Sequence, residues 1–245
     1  MEQLILDSNT WLLVLTGAGV SAESGVPTFR GMDGLWENHP IEDVASPQGF
    51  QKDPTLVWRF YSQRRAGAAS VKPNPGHDAL VAWEKHLGDR FLLATQNVDG
   101  LHRRAGSERV VEMHGNLFKS RCSQCRRSPF DDTTVYPEGT VPACSECGGR
   151  LRPHIVWFGE YLEPADMKRL ESFALRGSTS GGRFVFLAAG TSGLVYPAAG
   201  IVDRVREAGG ETWLVNLDPA QNASRFEHTI TGKSGEVLPG LAKLM

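Results

Sequence analysis

Short runs of apolar residues recur along the chain, and segments able to form helices lie between them. The strongest runs cover residues 11–15, 91–94, 184–188 and 213–215, and two weaker ones cover residues 110–113 and 228–230. Runs that are apolar at nearly every position are typical of strands buried on both faces, as in parallel sheets. Their alternation with helices predicts an α/β fold with a doubly wound parallel sheet.

Two segments that break this pattern predict a smaller domain inserted into the sheet domain. Residues 29–75 are rich in turns and include an amphipathic helix over residues 54–66. Residues 118–154 contain all four cysteines of the chain. We therefore expect a loop with a helical insert, a cysteine-bearing insert, and a sheet domain made of the remaining residues, 1–28, 76–117 and 155–245.

Length and charge narrow the classes of function. A chain of 245 residues can bury a substantial core and carry a smaller insert. Its net charge of −2, with both signs mixed along the chain, offers no basic surface to nucleic acid or to an anionic membrane. The apolar runs are too short to span a bilayer, and the N-terminus resembles neither a signal nor a transit sequence, so we expect a cytoplasmic protein. No motif encodes an oligomeric state, and we take a monomer as the expectation.

The cysteines form two Cys-x-x-Cys pairs, Cys122 with Cys125 and Cys144 with Cys147, and eighteen residues separate the pairs. A two-residue spacer directs both sulfurs of a pair at one centre, and two pairs complete a tetrahedral Zn²⁺ site with no open position for water. Two disulfides, one redox pair or four unrelated core thiols are the alternatives. Redox pairs occur singly, and the chain has no secretory features that favour disulfides. We therefore predict one structural zinc ion in a zinc-ribbon insert.

A glycine-rich turn directly follows the first strong apolar run. Gly17-Ala18-Gly19-Val20-Ser21-Ala22 has the G-x-G-x-x-A spacing with which Rossmann-type domains bind dinucleotides, since glycine lets the backbone approach a pyrophosphate. Glycine turns also follow strands in proteins that bind no nucleotide. A dehydrogenase would carry an acidic residue at the end of its second strand, about twenty residues on. Residues 26–31 instead form a turn with an aromatic residue and an arginine, which does not support hydride transfer.

Three further loops follow strands at the sheet edge where such folds bind ligands. One contains Asn97 and Asp99, one contains Gly190-Thr191-Ser192, and one contains His114. An amide beside a carboxylate can recognise hydroxyl and carboxamide groups, although Asn97 and Asp99 would also suit an Asx-type turn without any ligand. An imidazole suits a general base near neutral pH, although most of the seven histidines should be surface or capping residues.

Taken together, these motifs resemble the sirtuin family of NAD-dependent protein lysine deacylases. The resemblance covers nearly the whole chain and follows the family's order: residues 17–21, 26–30, 95–102, 113–115, the paired cysteines, 157–160 and 190–192. It implies a Rossmann-type NAD-binding domain and a small zinc-bearing domain, with NAD and an acyl-lysine peptide or protein bound between them. It also implies the products, which are free lysine, nicotinamide and 2′-O-acyl-ADP-ribose.

The resemblance also implies roles for individual residues. His114 would be the general base that accepts a proton from the ribose hydroxyls. The peptide would add as a strand between residues 193–195 and a substrate-binding segment, which consists of Val156, Trp157, Phe158, Gly159 and Glu160. The residues that would bind NAD are Gly17, Ala18, Gly19 and Ser21 in the turn, Phe29 and Arg30 in the cofactor loop, Gln96 and Asn97 at the nicotinamide ribose, Val98 and Asp99 at the carboxamide, Gly190, Thr191 and Ser192 at phosphate and ribose, and Asn216, Leu217, Asp218 and Ser234 at the adenosine.

One departure from the commonest family pattern concerns the acyl group. Residues 28–31 resemble the desuccinylase-like branch of the family, called class III. In the predicted helix, Arg64 falls in the middle of an apolar arc that also contains Phe60 and Tyr61. A guanidinium is costly to bury there unless an anion pairs with it. Class III members place a Tyr-x-x-Arg at this point, which implies that Tyr61 and Arg64 hold the carboxylate of succinyl-, malonyl- or glutaryl-lysine.

Arg64 also has a purely structural interpretation. It would then extend past a helix end into water, as we expect for Arg59 and Arg65, or pair with an internal acidic residue.

Other functions compete with an acidic-acyl deacylase. A plain deacetylase, a protein mono-ADP-ribosyltransferase or an NAD hydrolase would share the NAD motifs. A zinc-ribbon binding module with a degenerate nucleotide fold is a further alternative, and the intact set of His114, Asn97, Asp99 and the glycine turn argues against it. We therefore expect an NAD-dependent protein lysine deacylase that removes acidic acyl groups and also acetyl.

Overall fold

The computed structural model describes residues 3–27, 35–36, 39–192, 200–218, 220 and 222–245. Within these residues, the strands form a central parallel sheet and several smaller sheets. In chain order the strands of this part are β1 (Leu4–Leu6), β2 (Thr10–Thr16), β3 (Leu35–Trp36), β4 (His39–Pro40), β5 (Phe91–Thr95), β6 (Val110–Glu112), β7 (Gly115–Cys122), β8 (Phe130–Asp131), β9 (Leu151–Ile155), β10 (Arg183–Ala189), β11 (Glu211–Asn216), β12 (His228–Thr231) and β13 (Ala242–Leu244).

The helices of the described residues connect and cover these strands. In chain order they are α1 (Ala18–Ala22), α2 (Ile41–Val44), α3 (Pro47–Lys52), α4 (Pro54–Ser70), α5 (Pro75–Leu87), α6 (Leu101–Ala105), α7 (Pro164–Thr179), α8 (Ile201–Glu207) and α9 (Ser234–Leu241). None of them is long and apolar enough to cross a membrane.

The central sheet has six strands, all parallel, in the spatial order β6-β5-β2-β10-β11-β12. The chain therefore runs outward from β2 in one direction and then returns to β10 to run outward in the other. Thr16 pairs in register with both Thr95 and Ala189, so the carboxyl ends of the three central strands are level. In doubly wound sheets, ligands bind at the carboxyl edge where the strand order reverses, which here is between β2 and β10.

Each face of the sheet has its own hydrophobic core. Successive residues of a strand point to opposite faces, so Leu12 and Val14 pack on one side and Leu13 and Leu15 on the other. Helices α5 and α9 cover the first side, and α7 and α8 cover the second. The predicted fold class, a doubly wound parallel sheet buried on both faces, is confirmed.

A third hydrophobic core lies outside the central sheet, between helix α4 and the antiparallel sheet β8-β7-β9. Trp58 of α4 anchors it, since its ring is 1% exposed and its Nε1–H donates to the Leu151 oxygen at 2.8 Å. Asp53 caps the helix by accepting the Leu56 N–H at 2.9 Å, and proline occupies the first helical position. The helix extends to Ser70, beyond the predicted end at residue 66. The exact domain bounds stay a prediction.

The expectation that Arg65 extends into solvent is wrong. Its side chain is 1% exposed, donates to the Leu117 oxygen at 2.8 Å and to the Thr134 oxygen at 2.6 Å, and pairs with Asp132 at 3.3 Å. Because α4 continues to Ser70, position 65 is in the helix interior and faces the antiparallel sheet β8-β7-β9. These three partners compensate the buried charge, as a buried guanidinium requires.

Arg59 and Arg64 lie on either side of this buried face. Arg59 is exposed and pairs with Glu138 at 2.9 Å, as expected for an arginine on the solvent side. Arg64 is half-buried, with its guanidinium 5.5 Å from the centre of the Phe60 ring. The buried face of α4 is therefore shifted toward Trp58 and Arg65 from the arc predicted around Arg64, which places Arg64 nearer its edge.

Candidate active site

The glycine turn after β2 packs directly against the end of β10. Gly17 donates its N–H to the Ala189 oxygen at 3.0 Å, and Gly19 donates to the Gly190 oxygen at 2.8 Å. A Cβ atom on Gly17 would lie 2.7 Å from the Gly190 oxygen, and one on Gly19 would lie 2.7 Å from the Gly190 Cα. Gly190 itself has φ +61°, a conformation that favours glycine. Glycine at these positions therefore lets two loops meet at the point where the strand order reverses.

The side chains after β5 tie these two loops together. Gln96 Nε2 donates to Thr191 Oγ1 at 3.0 Å. Asn97 Nδ2 lies 3.0 Å from both the Gly17 oxygen and Ser21 Oγ. The amide of Asn97 therefore crosses to the glycine turn and does not form the local Asx-type turn that was its alternative interpretation.

Asp99 combines a local contact with deep burial. Its Oδ1 accepts the Leu101 N–H at 2.8 Å, which is the Asx-type contact, and its side chain is 3% exposed. Burial raises the pKa of this carboxyl, against the opposing effect of that hydrogen bond. A buried carboxyl with a perturbed pKa beside a ligand crevice is typical of functional sites.

His114 lies in the turn between β6 and β7, and its orientation is fixed by a backbone group. Its Nδ1 is 3.0 Å from the Gln96 oxygen. A carbonyl oxygen only accepts, so Nδ1 carries the proton and Nε2 keeps its lone pair. Burial lowers the pKa of the ring, so the imidazole is neutral at neutral pH. Nε2 can therefore act as a proton acceptor, as the general-base prediction requires.

A buried polar network that the sequence did not reveal supports the β5 loop. Thr95 Oγ1 accepts the Asn97 N–H at 3.1 Å and lies 2.9 Å from Thr16 Oγ1, which in turn lies 2.8 Å from His102 Nε2. All of these hydroxyl and imidazole groups are nearly inaccessible to water. The sequence contains only a weak indication of this network, namely a threonine at the last position of each of two apolar strands.

The predicted adenosine residues lie at the ends of two neighbouring strands: Asn216 is the last residue of β11, Leu217 and Asp218 follow it, and Ser234 follows β12. Asn216 Nδ2 donates to the Thr191 oxygen at 3.2 Å and to the Asp218 oxygen at 2.8 Å, which holds the loop against the end of β10. Leu217 is 55% exposed, and Ser234 is buried as the first residue of α9. The structure thus places these residues at the same sheet edge as the glycine turn. Phe29, Arg30 and residues 193–195 lie outside the described residues.

Tyr61 and Trp157 meet in the third hydrophobic core. Tyr61 is 1% exposed, and its hydroxyl accepts the Trp157 Nε1–H at 3.0 Å. Burial raises the pKa of the Tyr61 phenol. The hydroxyl therefore stays protonated over the whole physiological range and can donate a hydrogen bond.

The segment 156–160 is a turn and not a strand, because β9 ends at Ile155 and Gly159 has φ +85°. Its N–H groups are largely used within the chain: Val156 donates to the His114 oxygen, Phe158 to the Ala45 oxygen, and Glu160 to the Trp157 oxygen, each at 2.9–3.0 Å. Trp157 donates to the Glu160 carboxylate at 2.9 Å. A peptide that pairs here would therefore use carbonyl oxygens and the Gly159 N–H.

The four cysteines converge at one point at the end of the β7-β8-β9 sheet. Their sulfurs all lie within 4.8 Å of one another, with 3.6 Å between those of Cys122 and Cys147 and 3.9 Å between those of Cys125 and Cys144. Four thiolates around Zn²⁺ at about 2.3 Å stand about 3.8 Å apart in a tetrahedron. The separations exceed a disulfide bond and fit one tetrahedral metal ion, so the donor set matches the predicted zinc.

Comparison with known proteins gives a consistent result. A family model described as "Sir2 family" matches residues 17–197. Among curated proteins, an "NAD-dependent protein deacylase" of Pyrococcus furiosus is 42% identical over 98% of this chain and 94% of its own length. One of the same name from Salmonella typhimurium is 47% identical over 94% of this chain and 82% of its own length.

The solved structures agree. A Sir2 homologue crystallised with NAD has a TM-score of 0.84 and 41% identity, covering 94% of this chain and 87% of its own. The chain belongs to the Sir2 family. Another Sir2 structure, with the inhibitor EX-527, 2′-O-acetyl-ADP-ribose and a deacetylated p53 peptide, has a TM-score of 0.76 and 29% identity over 92% of this chain and 89% of its own. The predicted family, enzyme class and cofactors of this Sir2 protein, an NAD-dependent deacylase with a metal-binding cysteine cluster, are confirmed.

Proposed function

We propose that this Sir2-family protein removes acidic acyl groups, namely succinyl, malonyl and glutaryl, as well as acetyl, from lysine side chains of proteins. The acyl group is transferred to NAD, so that nicotinamide and 2′-O-acyl-ADP-ribose are released. The coarser activity, NAD-dependent protein deacylation, is that of the family. The acidic preference and the roles of individual residues are the proposed part.

The observation that carries the acidic preference is the position of Arg64. Burial raises the pKa of both Tyr61 and Asp99, and the positive charge of Arg64 opposes that rise in both. Arg64 lies three residues, about one helical turn, after Tyr61 in α4, and its positive charge acts on both the Tyr61 phenol and the buried Asp99 carboxyl. A half-buried cation beside a phenol that can donate suits a carboxylate, because both groups supply hydrogen bonds to an anion.

Residues at the sheet edge fit a dinucleotide. Gly17, Gly19 and Gly190 keep side chains away from the turn, so that backbone can approach a pyrophosphate. Bound NAD supplies the ribose carbon that loses nicotinamide and the hydroxyl that receives the acyl group. Asn97, held by the glycine turn, and the buried Asp99 would orient the nicotinamide end.

His114 is proposed as the general base. Its Nδ1–H is held by the Gln96 oxygen, and its neutral Nε2 can take a proton from a ribose hydroxyl. The backbone oxygen of the same residue accepts the Val156 N–H, which ties the base to the predicted peptide segment. Base and peptide are therefore held in one unit.

Acyl-lysine peptides are the proposed partners. Pairing through the carbonyl oxygens of residues 156–160 would fix the peptide backbone while reading few of its side chains. The p53 peptide bound to the related Sir2 structure is a precedent in that protein. We therefore expect selectivity to depend more on the acyl group than on the surrounding sequence.

The decisive experiment compares acetyl-, succinyl-, malonyl- and glutaryl-lysine versions of one peptide, with and without NAD. The expected result is NAD-dependent release of each acidic acyl group with a higher kcat/KM than that of acetyl. A wild-type enzyme that prefers acetyl-lysine would contradict the acidic preference. Nicotinamide release without acyl loss would instead indicate transfer or hydrolysis of ADP-ribose.

A further inference from the structure

The indole of Trp157 connects the proposed acyl-binding residue Tyr61 to a buried ion pair. Its Nε1–H donates to the Tyr61 hydroxyl at 3.0 Å, and the Arg152 guanidinium carbon lies 3.4 Å from the centre of one of its rings. Arg152 in turn makes a two-pronged pair with Glu160, at 2.6 and 2.9 Å. The four side chains therefore form one continuous chain of contacts from the small-domain core to the predicted peptide segment.

Both the ring and the backbone of Trp157 are fixed by this pair. Glu160 accepts the Trp157 backbone N–H at 2.9 Å, and Arg152 also donates to the Ile155 oxygen at 2.8 Å. The side chain of Arg152 is 7% exposed and that of Glu160 is 20% exposed. Breaking a pair with so little access to water would leave an uncompensated charge, so the arrangement resists distortion. Trp157 has therefore little freedom to turn its N–H away from Tyr61.

The direction of the indole hydrogen bond determines what the phenol can do. An indole nitrogen only donates, so the Tyr61 oxygen must be the acceptor in this contact. The hydrogen of the Tyr61 hydroxyl is then directed at an acceptor other than the indole. The carboxylate of an acidic acyl group is an acceptor only, whereas an acetyl group ends in a methyl group that needs no donor.

We infer that Trp157 is a positioning residue for acyl selectivity, whose indole N–H holds the Tyr61 hydroxyl as a donor toward an acidic acyl group. The inference rests on the proposed function, since it assumes that Tyr61 faces the acyl chain. Arg152 and Glu160 act indirectly, because they hold the Trp157 indole in place.

The test is Trp157→Phe in the full-length, zinc-loaded enzyme. This change keeps an aromatic ring under Arg152 and removes the N–H. The measured quantity is the ratio of kcat/KM for succinyl-lysine to that for acetyl-lysine, in which the concentration of folded enzyme cancels. The ratio should fall about three- to tenfold, which corresponds to the net contribution of one neutral hydrogen bond. The fall should appear mainly in KM for the succinyl peptide.

A double-mutant cycle with Tyr61→Phe separates positioning from general damage. If Trp157 acts through the Tyr61 hydroxyl, the double variant should have the same ratio as Tyr61→Phe alone. Trp58→Phe is the matched control, because it removes another buried indole N–H, the one bound to the Leu151 oxygen, from the same core. It should lower stability without changing the ratio.

The possible outcomes are distinguishable. A wild-type enzyme that prefers succinyl-lysine, with a ratio unchanged in Trp157→Phe or with independent effects in the double variant, overturns this inference and leaves the proposed function intact. A wild-type enzyme that prefers acetyl-lysine overturns the proposed selectivity and this inference with it. An equal fall in the ratio for Trp58→Phe also overturns the inference, since any loss of core packing would then suffice.

Discussion

His114 Nδ1 lies 3.0 Å from the backbone oxygen of Gln96, and this contact determines which nitrogen of the ring is basic. Gln96 is also the residue whose side chain joins the β5 loop to Thr191 at the end of β10. The orientation of the proposed base is thus set by the same loop that is expected to hold the nicotinamide ribose. The proposed base and the proposed cofactor site are therefore linked through Gln96.

Replacing His114 with alanine should slow deacylation by roughly 10²-fold to 10⁴-fold, because a positioned general base contributes about that much. NAD binding, measured by calorimetry, should survive, and so should the thermal unfolding transition. Near-normal turnover of His114→Ala at saturating NAD would disprove the assignment. The buried His102 would then be the next candidate, although its Nε2 already contacts Thr16 Oγ1 at 2.8 Å.

The pH dependence of kcat/KM should show the same base. Burial lowers the pKa of His114 below its ordinary value of 6.5, so the ring stays neutral to lower pH than a free histidine. Activity should therefore be fully present above pH 6.5 and decline as the pH falls through a value below 6.5. A midpoint clearly above 6.5 would contradict the structure, because it would require a base with a raised pKa.

Much of this site followed from the sequence because strand ends are easy to recognise. Strands apolar at every position are buried on both faces, and the residues that follow them necessarily gather at one edge of a parallel sheet. That rule correctly placed Gly17, Asn97, His114 and Gly190 in one region. It required no knowledge of side-chain partners.

Contacts between distant segments of the chain could not be predicted from the pattern of apolar strands. The buried face of α4 extends further toward Arg65 than predicted, because Arg65 is buried against Asp132, a partner 67 positions away that hydropathy alone does not reveal. In the same way, the ion pair of Arg152 with Glu160, and the hydrogen bond from the Trp157 N–H to Glu160, are contacts that the hydropathy pattern does not reveal. The local pattern predicts which residues can be buried, and tertiary partners decide which residues are.

Removing one zinc ligand should unfold the small domain. Cys144→Ser is expected to lose the metal and to lower the unfolding temperature markedly, because the binding energy of a structural zinc is folding energy. Metal content and thermal unfolding measure both effects. Ser145→Ala is the matched control beside it, since it removes only the exposed hydrogen bond from Arg127. A zinc-free Cys144→Ser protein that remains stable and fully active would contradict a structural role for the metal.

Arg64→Met should change which acyl group is preferred. Loss of a charge-assisted contact to a carboxylate typically costs about 2–5 kcal/mol, so kcat/KM for succinyl-lysine should fall well over tenfold. Acetyl-lysine has no carboxylate and should lose much less.

The control for Arg64 is Arg59→Met, which removes a cation of the same helix whose side chain is 42% exposed and paired with Glu138. It should leave the succinyl-to-acetyl ratio unchanged. If Arg64→Met lowers kcat/KM equally for succinyl-lysine and acetyl-lysine, Arg64 has a structural role and does not select the acyl group.

A last prediction concerns acid stability and depends on His77 of α5. Its ring is completely buried, Nδ1 accepts the Asn74 N–H at 3.3 Å, and the ring of the equally buried His102 is centred 4.7 Å away. Burial lowers the pKa of His77 to about 4, below its ordinary value of 6.5, and burial also lowers the pKa of His102. Between about pH 4 and pH 6.5 the unfolded chain therefore binds more protons than the folded chain.

The contribution of neutral His77 to the free energy of unfolding should thus be fully present above pH 6.5 and be lost as the pH falls from 6.5 to about 4. A shift of this size corresponds to about 3 kcal/mol. His77→Asn keeps an acceptor near the Nδ1 position and cannot be protonated in this range. Urea unfolding of this variant should show lower stability at pH 7.5 but a clearly shallower decline toward pH 4.5. His86→Asn, on the exposed side of the same helix, should keep the wild-type slope. An unchanged slope in His77→Asn would show that the acid sensitivity arises elsewhere, because only a group that is protonated on unfolding can produce it.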